Sequence, residues 1–110
     1  MDQYVGCVYV YKSNQNGKCI DGSSGTIELT DCAYHNNNHK WGYLNNQLTN
    51  LVSYKCLQEG RAGILELAKC DSNNQSQKWN IETSNSFVII QNVQTNNVLV
   101  SYNSIIFISI

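Results

Sequence analysis

Two segments of the chain superimpose on each other. GKCIDGSSGTIELTDCAYHNNNHKW lies over YKCLQEGRAGILELAKCDSNNQSQKW. Both carry K-C-[IL], a glycine-containing turn, [TI]-[IL]-E-L, a second cysteine, an Asn-rich loop and K-W. Cys19 and Cys56 stand 37 positions apart, and the pairs Cys32/Cys70 and Trp41/Trp79 stand 38 apart. Three anchors sharing nearly one period identify an internal repeat, and this limits the fold more than any other feature. One such unit cannot bury its own apolar face, so the copies must share a core.

A third copy is fainter. FVIIQNVQTNNVLVSYNSIIFISI lies over VYVYKSNQNGKCIDGSSGTIELTD, which puts Val98 on Cys19, and Ile106 and Ile108 on Ile27 and Leu29. This copy has no cysteines and stops before a third K-W. The expected units cover about 7–44, 45–84 and 85–110 of a single domain spanning 1–110.

Each unit reads as short strands. CVYVY, TIELT, ILELA, FVII, VLVSY and IIFIS are rich in β-branched and aromatic residues. Asn-Gly, Gly-Ser, Asn-Asn and Glu-Gly punctuate them. No run carries a sustained helical period. About eleven strands are expected. In TIELT, alternation sends Ile27 and Leu29 to the core and turns Glu28 and Thr30 outward, on the side where Asp21 can approach. Ile64 breaks the same pattern in ILELA, while Leu65 and Leu67 keep it.

Composition narrows the partners. The net charge is −1 and 14% of residues are charged. That excludes long-range attraction to nucleic acid or anionic membrane. A surface of neutral hydrogen-bonding groups suits sugars better than ions. IIFISI is too short to cross a bilayer, so no membrane insertion is expected. MDQYVGCVYV lacks a basic start and a long apolar stretch, so no signal peptide is read. A cytoplasmic or non-classically secreted location is therefore favoured, though the compartment stays open. The five cysteines fit either disulfides or reduced side chains packed as small hydrophobes.

With these motifs in view, the chain resembles a ricin-type β-trefoil lectin domain, an all-β fold of three homologous repeats. The first repeat offers Cys19-Ile20-Asp21, then Glu28-Leu29-Thr30-Asp31-Cys32, then His39-Lys40-Trp41. The second offers Cys56-Leu57-Gln58, Glu66-Leu67-Ala68-Lys69-Cys70 and Gln77-Lys78-Trp79. The third is shortened at its C-terminal end. The likeness runs from about Val8 to Ile110. It implies a shallow sugar pocket in each repeat. There the aspartate after the first cysteine accepts from sugar hydroxyls. A ring before the second cysteine covers the sugar's apolar face, and an asparagine before the tryptophan motif adds a polar contact.

Carried onto this sequence, the first repeat keeps Asp21 and Asn38, with Glu28 where the family often has glutamine. Thr30 replaces the ring, and Tyr34 is the expected substitute, with His39 as a further contact. The second repeat has Gln58, Ala68 and Ser76 at the matching places, and the third has Val100 for the aspartate. One pocket is expected, lined by Asp21, Glu28, Tyr34, Asn38 and His39. The resemblance implies glycans or glycoproteins of galactose or N-acetylgalactosamine type as partners.

Other readings stand beside these. Trp41 and Trp79 are expected as core anchors rather than sugar platforms. No C-x-x-C is present, so no metal site is expected, and no cofactor. The cysteines read as structural, paired Cys19–Cys32 and Cys56–Cys70 or reduced. Asp21 with Glu28 has the composition of a glycosidase pair, but nothing else in the sequence supports catalysis, so the chain is expected not to be an enzyme. The main alternative is a trefoil scaffold acting through protein–protein contacts, as an inhibitor or assembly module. The short third repeat leaves a gap that MDQYV, with Tyr4 for the absent tryptophan, or a second chain in a homodimer would fill.

Overall fold

A computed structural model describes residues 7–13, 16–23, 27–33, 35–84, 87–102 and 105–109. The expected sugar-stacking Tyr34 and the expected gap-filler MDQYV through Val5, Tyr4 included, lie outside these residues.

Among the described residues there are eleven strands and no α-helix. The first repeat supplies β1 (Cys7–Tyr9), β2 (Cys19–Asp21), β3 (Glu28–Thr30) and β4 (Trp41–Leu44). The second supplies β5 (Gln47–Asn50), β6 (Cys56–Glu59), β7 (Leu65–Ala68) and β8 (Trp79–Ser84). The third supplies β9 (Phe87–Asn92), β10 (Val98–Tyr102) and β11 (Ile105–Ser109). They form a five-stranded sheet, β1-β4-β5-β6-β7, and a six-stranded sheet, β2-β3-β11-β10-β9-β8. Single-turn 3-10 helices follow the Asn-rich segments at Asn37–His39 and Gln75–Gln77.

The repeat is visible in register. Cys19 pairs with Thr30, Ile20 with Leu29 and Asp21 with Glu28. Cys56–Ala68, Leu57–Leu67 and Gln58–Glu66 reproduce this in the second unit. Val98–Ser109, Leu99–Ile108 and Val100–Phe107 reproduce it in the third. The faint third copy therefore aligns as its sequence suggests, with Val98 in the place of Cys19.

The approach to each of these hairpins repeats as well. Ser13, Asn50 and Asn92 each donate their backbone N–H five residues on, to Lys18, Lys55 and Asn97 at 2.7, 2.9 and 2.8 Å. The residue before each of those acceptors (Gly17, Tyr54 or Asn96) has a positive φ of 71°, 57° or 64°. Glycine adopts that conformation without a Cβ clash, whereas Tyr54 holds it at a cost of about 1–2 kcal/mol.

Alternation fills the shared core. Ile20, Ile27, Leu29, Trp41, Leu48, Leu57, Leu65, Trp79 and Ile90 are buried together. Trp41 and Trp79 are core anchors, as expected from their equivalent positions. Each indole N–H donates to the carbonyl of the residue after the first cysteine, Ile20 at 3.1 Å and Leu57 at 3.0 Å. A buried indole needs such a partner. Disulfides join Cys19 to Cys32 and Cys56 to Cys70. Only half of each belongs to the interior, because Cys19 and Cys56 are buried whereas Cys32 and Cys70 are exposed.

Two asparagines absent from the sequence reading complete the core. Asn50 and Asn92 are fully buried, and each faces a tryptophan across a strand pair, Trp41 and Trp79. The Asn50 side-chain oxygen accepts from the N–H groups of Val52 and Ser53, and its amide donates to the Asn38 carbonyl. Asn92 does the same with Gln94, Thr95 and the Ser76 carbonyl.

Candidate binding site in the first repeat

Opposed residues of an antiparallel pair project to the same face. Asp21 and Glu28 are therefore neighbours on the face of the β2–β3 hairpin turned away from Ile20 and Leu29. Glu28 is exposed, as expected of an outward residue. Asp21 is buried, because the segment that follows Cys32 folds over it. That segment is shaped by Asn36, whose side chain accepts from the Asn38 N–H at 2.9 Å and starts the 3-10 turn ending at His39.

His39 is buried beneath the turn. Its Nδ1 accepts from the Ala33 N–H at 3.2 Å, so in the neutral ring the proton is on Nε2. Nε2–H then donates to Asp21 Oδ2 at 3.0 Å. The Thr30 hydroxyl donates to the same oxygen at 2.8 Å and lies 2.8 Å from Nε2. The Ser23 N–H donates to Asp21 Oδ1 at 2.7 Å. Burial by itself pushes the Asp21 carboxyl up. The donors from Ser23, Thr30 and His39 outweigh it and hold Asp21 below the usual aspartate range. Asp21 is thus a fixed carboxylate, suited to accepting from hydroxyls and unsuited to donating a proton.

Asn38 sits at the edge of this arrangement. Its carbonyl accepts from the Gly22 N–H and from Asn50 Nδ2, each at 3.3 Å. Its side-chain amide has no partner among the described residues. Gly22 permits this close approach: a Cβ there would lie 2.9 Å from Asn50 Nδ2 and 3.2 Å from the Trp41 ring. The structure therefore brings together Asp21, Glu28, Asn38 and His39. It also reveals two roles the sequence reading missed, the carboxylate donors Ser23 and Thr30. Alternation already puts Thr30 on the side of Asp21, and its register opposite Cys19 brings the hydroxyl to the carboxylate.

The second repeat explains His39. Gln77 occupies its place, with Oε1 accepting from the Asp71 N–H at 2.9 Å and Nε2 donating to Gln58 at 2.9 Å. The histidine reproduces these two bonds; the Gln77 amide also accepts from Gln47 at 3.0 Å and donates to the Lys69 carbonyl at 2.9 Å. Gln58 itself is closed off, accepting from Asn74 as well and donating to Glu66 at 2.6 Å. It presents no carboxylate. Among the described residues no group of three or more His, Cys, Asp or Glu side chains is arranged to hold a metal ion.

Comparison with known proteins places this geometry. The family described as "Ricin-type beta-trefoil lectin domain" matches residues 8–79. No curated protein matches the sequence. Among solved structures, the hemolytic lectin CEL-III is similar with a TM-score of 0.80 and 17% identity, over 92% of this chain and 26% of that one. The chain thus corresponds to about a quarter of CEL-III. The β-trefoil lectin of Vibrio vulnificus hemolysin/cytolysin, solved with N-acetyl-D-lactosamine bound, has a TM-score of 0.75 and 19% identity, over 96% of this chain and 86% of that one. The designed three-fold symmetric protein ThreeFoil has a TM-score of 0.78 and 12% identity, over 93% and 86% of the two chains. At such identities the likeness establishes the fold, a β-trefoil.

Proposed function

From the premise that this chain belongs to the family of ricin-type β-trefoil lectin domains, a carbohydrate-binding class, we propose that it is a non-catalytic lectin whose first-repeat pocket takes galactose or N-acetylgalactosamine-type glycans. The observation that carries this reading is the Asp21 carboxylate, held ionised by three residues, with the Asn38 amide, which has no partner among the described residues, at its edge. A fixed carboxylate accepts from vicinal hydroxyls, and a free amide serves the next one. Glu28 borders the pocket, and Tyr34 supplies the ring that Thr30 lacks. His39 positions Asp21 and does not touch the sugar, because both of its nitrogens are engaged. N-acetyl-D-lactosamine, bound by the Vibrio lectin, is a sensible first ligand. Asp21, held low, is not suited to be the acid of a glycosidase pair.

The two disulfides suit an oxidising location. Among the described residues β1 is the last strand of its sheet, with Val8, Tyr9 and Val10 exposed. This supports pairing with a second chain, which would raise the avidity of a one-pocket lectin. Sedimentation at rising concentration tests it.

The closed Gln58 network and the apolar Val100–Phe107 pair favour a second reading, a scaffold working through protein contacts. A glycan array with the intact protein and with Asp21→Ala separates the two. Binding to galactose-type glycans that vanishes in the variant supports the lectin. A folded protein that binds no glycan leaves the scaffold.

A further inference from the structure

A cleft of about 540 Å³ opens beside the first-repeat pocket, on the side of the Cys19–Cys32 disulfide. Its size suits a sugar residue. Val10, Lys12, His35, Asn36 and Lys40 border it, and among the described residues no acidic side chain does. Neither the Lys12 nor the Lys40 ammonium has a hydrogen-bond or ion-pair partner among the described residues. Two unneutralised cations around one concave surface make a local field that the net charge of −1 conceals.

The second repeat provides an internal comparison, because the bridge Lys12–Cys19 has the register of Thr49–Cys56. Gln47 therefore stands where the first repeat has Val10, Thr49 where it has Lys12, and Asp71 where it has Ala33. The Gln47 amide spans the equivalent space, donating to the Asp71 carbonyl at 3.1 Å and to Gln77 Oε1 at 3.0 Å. Lys78, the counterpart of Lys40, is tied to the Asn45 carbonyl at 3.1 Å. The first repeat thus lacks the plug, gains a lysine, loses an acid and frees the second lysine. All four differences act in the same direction.

We propose that this cleft is a subsite for an anionic sugar residue, sulfated or carboxylated, next to the neutral sugar held by Asp21. The inference rests on the glycan-binding reading, but its charged groups, Lys12 and Lys40, are not those of the Asp21 pocket; His39 borders both. The experiment is a binding titration with N-acetyl-D-lactosamine and its sulfated, sialylated and glucuronylated forms, at low and high salt. The proteins are the wild type, Lys12→Gln/Lys40→Gln, Val10→Gln and Asp21→Asn. At least one acidic form is expected to bind more tightly than the neutral parent at low salt. Each lysine should contribute on the order of five-fold. The advantage should disappear in the double variant, in Val10→Gln, where the amide refills the cleft, and at high salt. Which acidic form gains tells sulfate from carboxylate. Equal binding of acidic and neutral forms to the wild type overturns the inference, as does an advantage that survives the lysine substitutions. Lysine-dependent binding of acidic forms, with no neutral binding, keeps this subsite and removes the Asp21 pocket. Absence of all binding by the folded protein removes both.

Discussion

Replacing His39 tests the account of the site most directly. The ring is buried, accepts from the Ala33 N–H and donates to Asp21. His39→Ala removes the part-buried hydrogen bond of the Ala33 N–H, worth about 0.5–1.5 kcal/mol, and a hydrogen bond to a charged group, worth about 1.5–3 kcal/mol. With the cavity added, a loss of about 3–5 kcal/mol is expected. His39→Gln should cost less than about 1 kcal/mol, because Gln77 makes the same two bonds from the equivalent position. Denaturant unfolding at neutral pH measures both, read from the midpoint shift at constant m. Sugar binding should follow suit, retained in His39→Gln because Asp21 stays in place. The reasoning is refuted if the two variants are equally stable, or if His39→Gln keeps its stability yet loses binding. The second outcome would make the imidazole itself a contact.

Further expectations concern the rest of the frame. Because Asp21 has a lowered folded pKa, its contribution to stability is complete above the ordinary aspartate value and is lost as pH falls through the lowered one; in Asp21→Asn, acid unfolding curves should lack that component. Breaking either disulfide, which close separations of 13 and 14 residues, should cost about 3 kcal/mol, seen as a fall in Tm on adding reductant; an unchanged Tm would count against them. Gly22→Ala forces a Cβ to within 2.9 Å of Asn50 and should destabilise by about 1–3 kcal/mol, measured by thermal unfolding. Asn50→Ala and Asn92→Ala should be alike, each losing about 2–4 kcal/mol of unfolding free energy through two stranded backbone N–H groups; a large difference between them would show that the repeats are not equivalent.

Much of the fold was legible because the repeat is written in residues whose burial is obligatory. Cysteines, tryptophans and alternating Ile/Leu mark the first two units, and the strand register aligns the third where Val98 replaces Cys19. Asp21, Glu28 and Asn38 were legible through their motifs. The buried Asn50 and Asn92 were not, since a polar residue in an Asn-rich chain reads as surface until its partners are known. Likewise, His39 read as a pocket contact because its equivalence to Gln77 acquires meaning only once the bonds of Gln77 are seen.

The sequence by itself determined the number of units, their strand pattern and which hairpin keeps a carboxylate, because alternation and period are local properties of the chain. Only the tertiary structure decided how that carboxylate is used. Thr30 and His39 meet Asp21 from separate segments, with His39 itself held by Ala33, and the Val10-for-Gln47 exchange opens a cleft only when the chain after β1 comes against the segment that follows Cys32. Hydrogen bonds and empty space between distant segments depend on packing, and no window of sequence contains them.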